Sequence, residues 1–446
     1  MSECCARRLN RLPDLLELHR SDPAAWPFLL ASEAGAGALG RWSLLMRQSG
    51  PTITQAATSD RAAGFLDALR RALPPRPTRN ADLPDLPFYG GWFVYLGYEL
   101  AAEIEPSLDL PAAADGLPVA HAARSPGAVV VDHRAQQAWL VAETASWLDR
   151  MADEVAVGLR GRPAAQPPPP IRLDLQADPG DAFMQGVRRI RQWILDGDVF
   201  QVNLSRGWRG QSLADLDPVD IYLALAASNP APFAGLARLP GGTVVSSSPE
   251  RLVCVNGDRI QTRPIAGTRP RGSSPEEDLG LSSELIAHPK ERAEHIMLID
   301  LERNDLGRVC LNGTVEVDEL MVVESYSHVH HIVSNVTGRL RPGVRADEII
   351  SAVFPGGTIT GCPKVRCMEI IAELETSGRG CYTGSMGYIG LDGAMDFNIL
   401  IRSMVVGARS LSFRTGAGIV ADSDPAAELA ETEDKARGLL KALGSA

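Results

Sequence analysis

Four consecutive prolines at residues 167–170 divide this sequence more sharply than any other feature. Proline lacks a backbone N–H and holds φ near one value, so the run excludes a helix interior and a central strand. Together with the preceding residues 161–166 it predicts a stiff, extended connector. We therefore predict an N-terminal region, residues 1–165, and a larger C-terminal region, residues 175–446.

The C-terminal region has the pattern of a mixed fold. Phe183, Val187, Ile190 and Ile194 repeat at helical spacing, and Gly197 is suited to end that helix. Further helices are predicted at 289–301, 365–375 and 426–443, and strands at 199–204, 243–245, 251–255, 388–391, 399–406 and 411–415. In the N-terminal region a helix is predicted at 59–73 and strands at 91–96 and 128–131. Because these elements come in runs without strict alternation, we predict an α+β fold with largely antiparallel sheet.

Composition excludes several classes of protein. The 44 basic and 55 acidic residues give a net charge of −11, with no basic run that would attract nucleic acid or an anionic membrane. The seven cysteines are odd in number and form no CxxC pair, so reduced thiols are expected rather than disulfides or zinc. Neither a signal peptide nor an apolar run of membrane-spanning length is present. We expect a soluble, cytoplasmic protein.

Two predicted helices carry pairs of glutamates. Glu291 and Glu294 are three residues apart, as are Glu428 and Glu431, so each pair shares a helix face. Lys435 lies one turn beyond the second pair. Two such helices brought together would offer oxygen ligands to Mg²⁺, which takes one or two carboxylates plus waters and substrate oxygens. From spacing alone, solvated faces with ordinary ion pairs are the simpler interpretation.

Glycine and histidine clusters add weaker signals. The glycine-rich segments 355–364 and 415–418 could expose backbone N–H groups to an anion, although simple turns explain them equally well. His328, His330 and His331 would alternate across a strand, which places His331 on the face opposite to the other two. A zinc site would need further ligands at workable spacing, so at least two of these histidines are expected to be structural.

Taken together, nine segments of the C-terminal region resemble the chorismate-utilising enzymes, a family that includes anthranilate synthase component I, aminodeoxychorismate synthase component I, isochorismate synthase and salicylate synthase. They occur in the order of the family: GDVFQVNLSR (197–206), SSSPERLV (246–253), RPIAGTRPRG (263–272), HPKERAEHIMLIDLERNDLGRVC (288–310), SYSHVHHIVSNVTG (325–338), FPGGTITGCPKVRCMEII (354–371), YTGSMGYIG (382–390), MDFNILIRSM (395–404) and GAGIVADSDPAAELAETEDKA (416–436). The resemblance implies a chorismate-binding fold of large antiparallel sheets packed as a sandwich with flanking helices. It also implies a catalytic domain at 175–446 and an anthranilate-synthase-like region at 1–165.

The resemblance also implies a magnesium-dependent enzyme and assigns roles to residues. Glu294 and Glu431 match the two glutamates that hold Mg²⁺, and Glu291 and Glu428 match auxiliary carboxylates beside them. The cation would hold a carboxylate of chorismate, a dianion that glutamates alone would repel. Glu250 matches the general acid that protonates the departing C4 hydroxyl, a role that a raised pKa would favour.

The remaining matches surround the reacting ring. Gln201, Thr268 and His331 match residues close to the chemistry. The substrate contacts are expected from two groups, the side chains of Thr358, Tyr382, Arg402 and Lys435, and the backbone of Gly416, Ala417 and Gly418. Arg402 is the natural bidentate partner of a carboxylate.

Two positions bear on the reaction. Water-adding members of the family have a lysine at the position of Gln201, and ammonia-using members have glutamine, so we predict amination of chorismate. The segments QVNLSR, PGGTITG, YTGSMGYI and DFNILIR resemble aminodeoxychorismate synthases, which serve 4-aminobenzoate and folate synthesis. Ala266 departs from this branch, because many of its members have a nucleophilic lysine there and anthranilate synthases have alanine. Anthranilate synthase component I is therefore the alternative.

Ammonia is expected from a separate glutamine amidotransferase subunit, since no such module is recognisable in this sequence. An alternative of another class is a non-catalytic, chorismate-binding regulatory subunit. The intact set of matched side chains, Glu250 and Arg402 among them, argues against that alternative. Residues 29–32 read LLAS, whereas anthranilate synthases bind tryptophan as an inhibitor at LLES. This departure puts tryptophan control in doubt and leaves a structural tryptophan site open as an alternative.

Overall fold

The computed structural model describes residues 4–33, 40–57, 64–73, 83–158, 171, 173–325 and 329–444, apart from the side chains of residues 268, 290 and 329. The predicted proline connector and the first residues of the helix predicted at 59–73 lie outside these ranges.

Strands make up most of the regular structure. They are β1 (Cys5–Arg8), β2 (Phe28–Ala31), β3 (Trp42–Arg47), β4 (Thr52–Gln55), β5 (Gly91–Leu96), β6 (Ala120–Ser125), β7 (Gly127–Asp132), β8 (Gln137–Ala142), β9 (Leu173–Ala177), β10 (Gln201–Ser212), β11 (Phe233–Leu239), β12 (Gly242–Ser248), β13 (Arg251–Asn256), β14 (Arg259–Arg263), β15 (Ile265–Pro270), β16 (Glu316–Ser325), β17 (Val329–Arg339), β18 (Gly361–Cys362), β19 (Ser385–Gly390), β20 (Met395–Asn398), β21 (Ser403–Val406) and β22 (Ser410–Ile419).

Helices fill the connections between the strands. They are α1 (Leu15–Ser21), α2 (Phe65–Ala72), α3 (Ala101–Ile104), α4 (Ala145–Gly158), α5 (Gly180–Leu195), α6 (Pro218–Ser228), α7 (Pro275–Ala287), α8 (Pro289–Gly307), α9 (Ala346–Val353), α10 (Lys364–Leu374) and α11 (Pro425–Ala442), with short 3₁₀ turns at Tyr98–Leu100 and Gly357–Ile359. None of the described helices combines the length and the apolar character that a membrane span requires.

Two large antiparallel sheets organise the chain. The first has the order β1-β8-β7-β3-β2-β11-β12-β21-β22-β10-β18, with β9 also paired to β10. The second has the order β15-β17-β14-β13-β20-β19-β5-β6-β4, with β16 also paired to β17. In both sheets, strands from before the predicted connector pair with strands from after it, through β2 with β11 and through β5 with β19. The two regions of the sequence thus share one architecture, and the domain boundary at 165–175 stays a prediction.

The two sheets pack face to face. Phe28 of the first sheet and Phe93 of the second stack with ring centroids 3.8 Å apart. Met46, Val130 and Met386 belong to the same buried cluster, which fills the layer between the sheets. The outer faces are covered by helices, since α4, α6 and α11 contribute to one further core and α2, α8 and α9 border another. This arrangement confirms the predicted α+β sandwich with flanking helices.

The local predictions hold best for helices with clear ends. Helix α5 covers the predicted periodic segment, and Gly197 follows it with a positive φ of 85°. The strand predicted at 399–406 is wrong in its first half, because β21 begins only at Ser403. Arg402 has a left-handed φ of 51°, which turns the chain sharply and excludes a continuous strand.

Candidate active site

Two neighbouring strands, β10 and β22, form the floor of the candidate site. Asn203 pairs with Gly418 in their ladder, so these residues and Gln201, two positions along, share one face of the sheet. A Cβ atom at Gly416 would lie 2.6 Å from the hydroxyl of Tyr382, and one at Gly418 would lie 2.6 Å from Nε2 of Gln201. Only glycine leaves room for these polar side chains directly above the strand, which explains the Gly-Ala-Gly sequence.

The two glutamate helices meet at this floor. Gln201 donates from Nε2 to Oε1 of Glu294 on α8 at 3.1 Å. Lys435 on α11 donates from Nζ to the carbonyl oxygen of Gly416 at 3.0 Å and forms an ion pair of 2.7 Å with Glu431. Glu294 thus lies beside Gly418 of β22, and Glu431 is connected to Gly416 of the same strand through Lys435.

Local sequence explains why both helices begin where they do. Pro289 and Pro425 each occupy a first helical position, where the missing N–H costs nothing. Asp424 caps α11 by accepting from the backbone N–H groups of Ala426 and Ala427, both at 3.0 Å. Each glutamate pair consequently lies in the first turns of its helix, at the end that faces the floor.

The auxiliary glutamates differ from the inner pair. Glu291 forms an ion pair of 2.7 Å with Arg269 through Oε1, while its buried Oε2 has no hydrogen-bond partner among the described residues. Glu428 is partly buried on α11, one turn before Glu431. Both side chains thus lie on the helix faces that also carry Glu294 and Glu431.

The carboxylate oxygens of the two helices are the type of ligand that Mg²⁺ prefers. Within the described ranges, no three His, Cys, Asp or Glu side chains form a ready-made metal-binding group. Mg²⁺, however, is usually held by one or two carboxylates and completes its shell with water and substrate oxygens. Glu294 and Glu431 satisfy that smaller requirement, and the unpartnered Oε2 of Glu291 is a further hard donor nearby. The assignment of magnesium stays a prediction.

Glu250 is a buried carboxylic acid between β12 and β13. Its Oε1 accepts a hydrogen bond of 2.7 Å from Oγ1 of Thr358. Burial raises the pKa of Glu250 to about 7, against the opposing effects of the Thr358 hydroxyl and the positive charges of Arg402 and Lys435. A carboxyl with this pKa can carry a proton near neutral pH and release it, as a general acid must.

Arg402 supplies a cation beside that acid. No described carboxylate lies within ion-pair distance of its guanidinium, although the charge of Glu250 is felt there. Burial lowers the pKa of Arg402, and Glu250 opposes that shift. The left-handed backbone of this non-glycine residue costs about 1 kcal/mol or more, a strain that is commonly found where function requires a fixed side chain. An incompletely paired guanidinium held in this way is suited to an anionic ligand.

His331 faces the same space from β17. Burial lowers its pKa to about 3, with a further lowering by Arg402 and an opposing hydrogen bond to the backbone of Gly267. The imidazole is therefore neutral at physiological pH. His330, on the opposite face, contacts Ser325 at 2.7 Å and Asp278 at 2.9 Å, a structural role as expected for this histidine. Thr268 pairs with His331 through the backbone, and its side chain lies outside the described part of the chain.

Tyr382 and Arg402 lie on two loops that are hydrogen-bonded to each other. The backbone N–H of Thr383 donates to Leu400 at 2.8 Å, and that of Leu400 donates to Gly384 at 2.8 Å. Thr383, like Arg402, has a positive φ, here 62°. The hydrogen bonds hold the two loops against each other, and the hydroxyl of Tyr382 lies beside Gly416 of the floor.

Sequence reasoning missed several polar residues of this site. Oδ1 of Asn203 is buried, has no hydrogen-bond partner in the ranges that the structure describes, and lies 3.1 Å from the Cβ position of Gly416. The period of two along β10 could have pointed to it, because it places Asn203 on the face of Gln201. Glu375 was also missed, since its partners Arg379 and Arg414 are brought to it only by the fold.

Glu375 organises a buried ion network behind Tyr382. Arg379 and Arg414 donate to its two oxygens at 2.7 and 2.8 Å. Burial alone would raise the pKa of Glu375, but these two arginines hold it below its usual value. The guanidinium of Arg379 also lies 5.5 Å from the ring centre of Tyr382. The network therefore keeps the carboxylate of Glu375 ionised and places a guanidinium beside the ring of Tyr382.

The segment LLAS lies elsewhere. Leu30 and Ala31 line a separate cavity of about 90 Å³ between the sheets, together with Trp42, Phe233 and Tyr388.

The structure thus brings together Gln201, Glu250, Glu294, His331, Thr358, Tyr382, Arg402, Gly416, Ala417, Gly418, Glu431 and Lys435. They come from both sheets, two helices, one 3₁₀ turn and three loops. The individual roles that the resemblance assigns to these residues stay predictions.

Comparison with known proteins agrees with this geometry. The model of the chorismate binding enzymes matches residues 35–441. The anthranilate synthase component I-like protein of Synechocystis is 47% identical over 80% of this chain and 73% of its own length. Aminodeoxychorismate synthase component 1 of Bacillus subtilis is 43% identical over 82% of this chain and 78% of its own length.

A solved structure extends the similarity to the fold. Anthranilate synthase component I from Streptococcus pneumoniae superposes with a TM-score of 0.79 at 30% identity, covering 90% of this chain and 92% of that one. Family match, relatives and fold agree over nearly the whole chain. The protein therefore belongs to the chorismate binding enzymes and is a chorismate-utilising enzyme.

Proposed function

We propose that this enzyme aminates chorismate with ammonia to give 4-amino-4-deoxychorismate. In the net reaction the C4–O bond breaks, a C4–N bond forms, water leaves and the enolpyruvyl ether is retained. Relatives named for aminodeoxychorismate synthase and for anthranilate synthase are similarly close, so the choice between these two aminations depends on the site.

Gln201 is the observation that carries the proposal of amination. Its side chain is buried and donates to Glu294, and its Oε1 has no hydrogen-bond partner within the described part of the chain. An amide does not accept a proton near neutral pH, so it cannot activate water as a general base. Unprotonated ammonia needs no such activation, and the free amide oxygen can accept one of its N–H groups.

In this proposal each surrounding residue has a separate role in the reaction. Glu250 protonates the departing C4 hydroxyl, and its pKa of about 7 keeps that proton available. Arg402, Tyr382 and Lys435 bind the carboxylates and the hydroxyl of the substrate. His331 stays neutral and adds no positive charge beside Arg402. Glu294 and Glu431 would hold Mg²⁺, which, when bound, supplies positive charge to a substrate carboxylate.

Anthranilate synthesis is the second candidate, and Ala266 favours it. This residue is buried on β15, where its backbone pairs with Ile332 next to His331. A lysine here could add to the ring as a nucleophile, and alanine cannot. If amination at C4 proceeds in this enzyme, it does so without that covalent step. Anthranilate formation would instead aminate C2 and eliminate pyruvate.

We also propose that a glutamine amidotransferase subunit supplies the ammonia, since similar proteins are named as component 1 of their synthases. The third candidate, a non-catalytic regulatory subunit, is disfavoured by Glu250, because a binding protein has no need of a buried acid with a pKa of about 7.

The decisive experiment is product analysis. The protein is incubated with chorismate, Mg²⁺ and ammonium at pH 8.5, and the products are separated by chromatography with and without a 4-aminobenzoate-forming lyase. We expect a non-aromatic amine that only the lyase converts to 4-aminobenzoate. Fluorescent anthranilate with pyruvate would instead establish the second candidate. Chorismate that binds but is not consumed, in wild type and in Glu250→Gln alike, would establish the third.

A further inference from the structure

The loop that carries Tyr382 is held by residues from the other side of the predicted connector. Glu99, in the 3₁₀ turn after β5, accepts through Oε1 from the backbone N–H groups of Arg379 at 2.7 Å and Gly380 at 3.1 Å. Its Oε2 accepts from Gly380 at 3.1 Å as well. A single carboxylate thereby fixes two consecutive amides just before Tyr382.

A second carboxylate and a backbone carbonyl continue this pattern. Asp115 accepts through Oδ2 from the N–H of Cys381 at 2.8 Å, and the carbonyl of Ala112 accepts from Gly378 at 3.0 Å. Four successive amides, 378–381, are therefore all bonded to acceptors between residues 99 and 115. In return the carbonyl of Gly380 accepts from the N–H of Tyr98 at 2.9 Å.

The segment 378–381 packs so closely against residues 111–115 that no side chain would fit at Gly378 or Gly380. A Cβ at Gly378 would lie 2.4 Å from the carbonyl oxygen of Pro111, and one at Gly380 would lie 2.0 Å from Oδ2 of Asp115. Gly380 also has a positive φ of 57°. Small residues at both positions allow the acceptors to approach the backbone of the loop directly.

We propose that Glu99, assisted by Asp115, is a positioning residue that sets the height of the Tyr382 hydroxyl above the strand β22 and thereby the affinity for the substrate. This proposal rests on the proposed function, in which Tyr382 contacts the substrate. The site at the end of β22 is then completed by the N-terminal region, although that region contributes none of the predicted catalytic side chains.

The burial of Glu99 and Asp115 supports a specific role for their contacts with the loop. Burial raises the pKa of Glu99 to about 7, and the hydrogen bonds from Gly380 and Arg379 oppose this shift. Burial likewise raises the pKa of Asp115, against its bonds to Cys381 and Leu117. Two carboxyls are thus enclosed at a desolvation cost, and the amides of one loop are the groups that stabilise them.

A merely structural role is the competing explanation, and the chain offers a matched control for it. Glu103 lies one helical turn after Glu99 and also accepts from two successive backbone amides, those of Phe65 and Leu66, both at 2.8 Å. Its amides belong to the start of α2 and not to the loop of Tyr382. Removal of either carboxylate should therefore lower stability, but only one should change the site.

The test compares Glu99→Ala, Glu99→Gln and Glu103→Ala by chorismate consumption, which does not depend on the identity of the product. We expect Glu99→Ala to raise the KM for chorismate about tenfold, with a smaller change in kcat. The reason is that a displaced Tyr382 would bind the substrate and the transition state more weakly by the same amount. Glu99→Gln should raise KM less than Glu99→Ala does, since an amide oxygen at the position of Oε1 still accepts from both amides and only the bond from Gly380 to Oε2 is lost. Glu103→Ala should lower Tm and leave KM unchanged.

A second comparison asks whether Glu99 acts through Tyr382. In a Tyr382→Phe background, Glu99→Ala should raise KM by less than about twofold, since the hydroxyl that it positions is gone. An undiminished tenfold effect there, or an equal rise of KM in Glu103→Ala, would overturn the proposal. If wild type does not consume chorismate, the proposed function fails. Hydrogen exchange of the backbone amides 378–381 then tests the positioning role by itself. If Glu99→Ala leaves that exchange unchanged, the positioning role is overturned too.

Discussion

The hydroxyl of Thr358 tunes the acid, and its removal should shift the pH dependence of the enzyme in a predictable direction. Thr358 donates to Glu250 at 2.7 Å and opposes the rise in pKa that burial causes. Replacement by valine keeps the shape of the side chain and removes the donor. Without this hydrogen bond the ionised form of Glu250 loses more stabilisation than the protonated form does, so the pKa of Glu250 should rise further.

The size of the shift follows from the energies of such bonds. A hydrogen bond to a charged group contributes about 1.5–3 kcal/mol and one to a neutral group about 0.5–1.5 kcal/mol, a difference of about 1 kcal/mol. One pKa unit corresponds to about 1.4 kcal/mol, so Thr358→Val should raise the pKa of Glu250 by about 0.7 unit. The starting value of about 7 then becomes nearly 8.

The assay is the pH profile of kcat/KM for chorismate, which reports groups of the free enzyme. The concentration of unprotonated ammonia is held constant, so that its own titration does not enter. A general acid is active while protonated, and kcat/KM therefore falls as pH rises through its pKa. In Thr358→Val we expect this alkaline fall to move upward by about 0.7 unit, whatever happens to the absolute rate.

Thr262 provides the control, because it makes an equivalent bond to a different buried carboxyl. Its hydroxyl donates to Oε2 of Glu302 at 2.8 Å, and burial raises the pKa of Glu302 to about 8. Thr262→Val should leave the alkaline fall where it is in wild type. An unmoved profile in Thr358→Val, or an equal movement in both variants, would show that Glu250 is not the titrating acid.

Three further predictions concern the metal, the substrate and the core. Glu431→Gln should weaken Mg²⁺-dependent binding of chorismate, since it removes an anionic ligand; equal magnesium titrations of variant and wild type would contradict this. Arg402→Lys should raise KM about tenfold or more while leaving Tm nearly unchanged, because an ammonium cannot bind a carboxylate through two parallel hydrogen bonds; an unchanged KM would remove Arg402 from the substrate site. Glu302 has a raised pKa of about 8, so its contribution to stability is present at low pH and is lost as pH rises from about 4.5 through 8. Glu302→Gln should therefore raise Tm relative to wild type more at pH 9 than at pH 6, and thermal melts at the two pH values would check it.

The sequence predicted those parts of the fold that depend on local pattern. The starts of α8 and α11 are marked by Pro289 and Pro425, and the prediction placed both glutamate pairs on helices correctly. The strand prediction at 399–406 failed because Ile399, Leu400 and Ile401 imitate an apolar strand, whereas the turn at Arg402 is fixed by a distant contact. There the carbonyl of Arg402 accepts from the N–H of Ser247 at 3.1 Å.

The pairing of strands that are distant in sequence could not be predicted from local pattern, for a physical reason. β5 pairs with β19 along its whole length, from Gly91 with Gly390 to Leu96 with Ser385, almost 300 residues away in sequence. Alternation of side chains shows which residues face a core, but it does not show which strand lies alongside. Glu99 was missed for the same reason, because only this pairing carries it to the loop at 378–381.

The site can offer both an acid and a cation because its buried charges are distributed unequally. Glu375 receives two arginines, Arg379 and Arg414, and is ionised with a lowered pKa. Glu250 accepts a hydrogen bond from the hydroxyl of Thr358 and feels the more distant charges of Arg402 and Lys435, so burial dominates and its pKa rises to about 7. Had Arg402 paired directly with Glu250, the carboxyl would be ionised and the guanidinium neutralised, and both functions would be lost. Their incomplete pairing lets a carboxylate substrate bind Arg402 while Glu250 retains its proton, a division of roles that depends on environment rather than residue type.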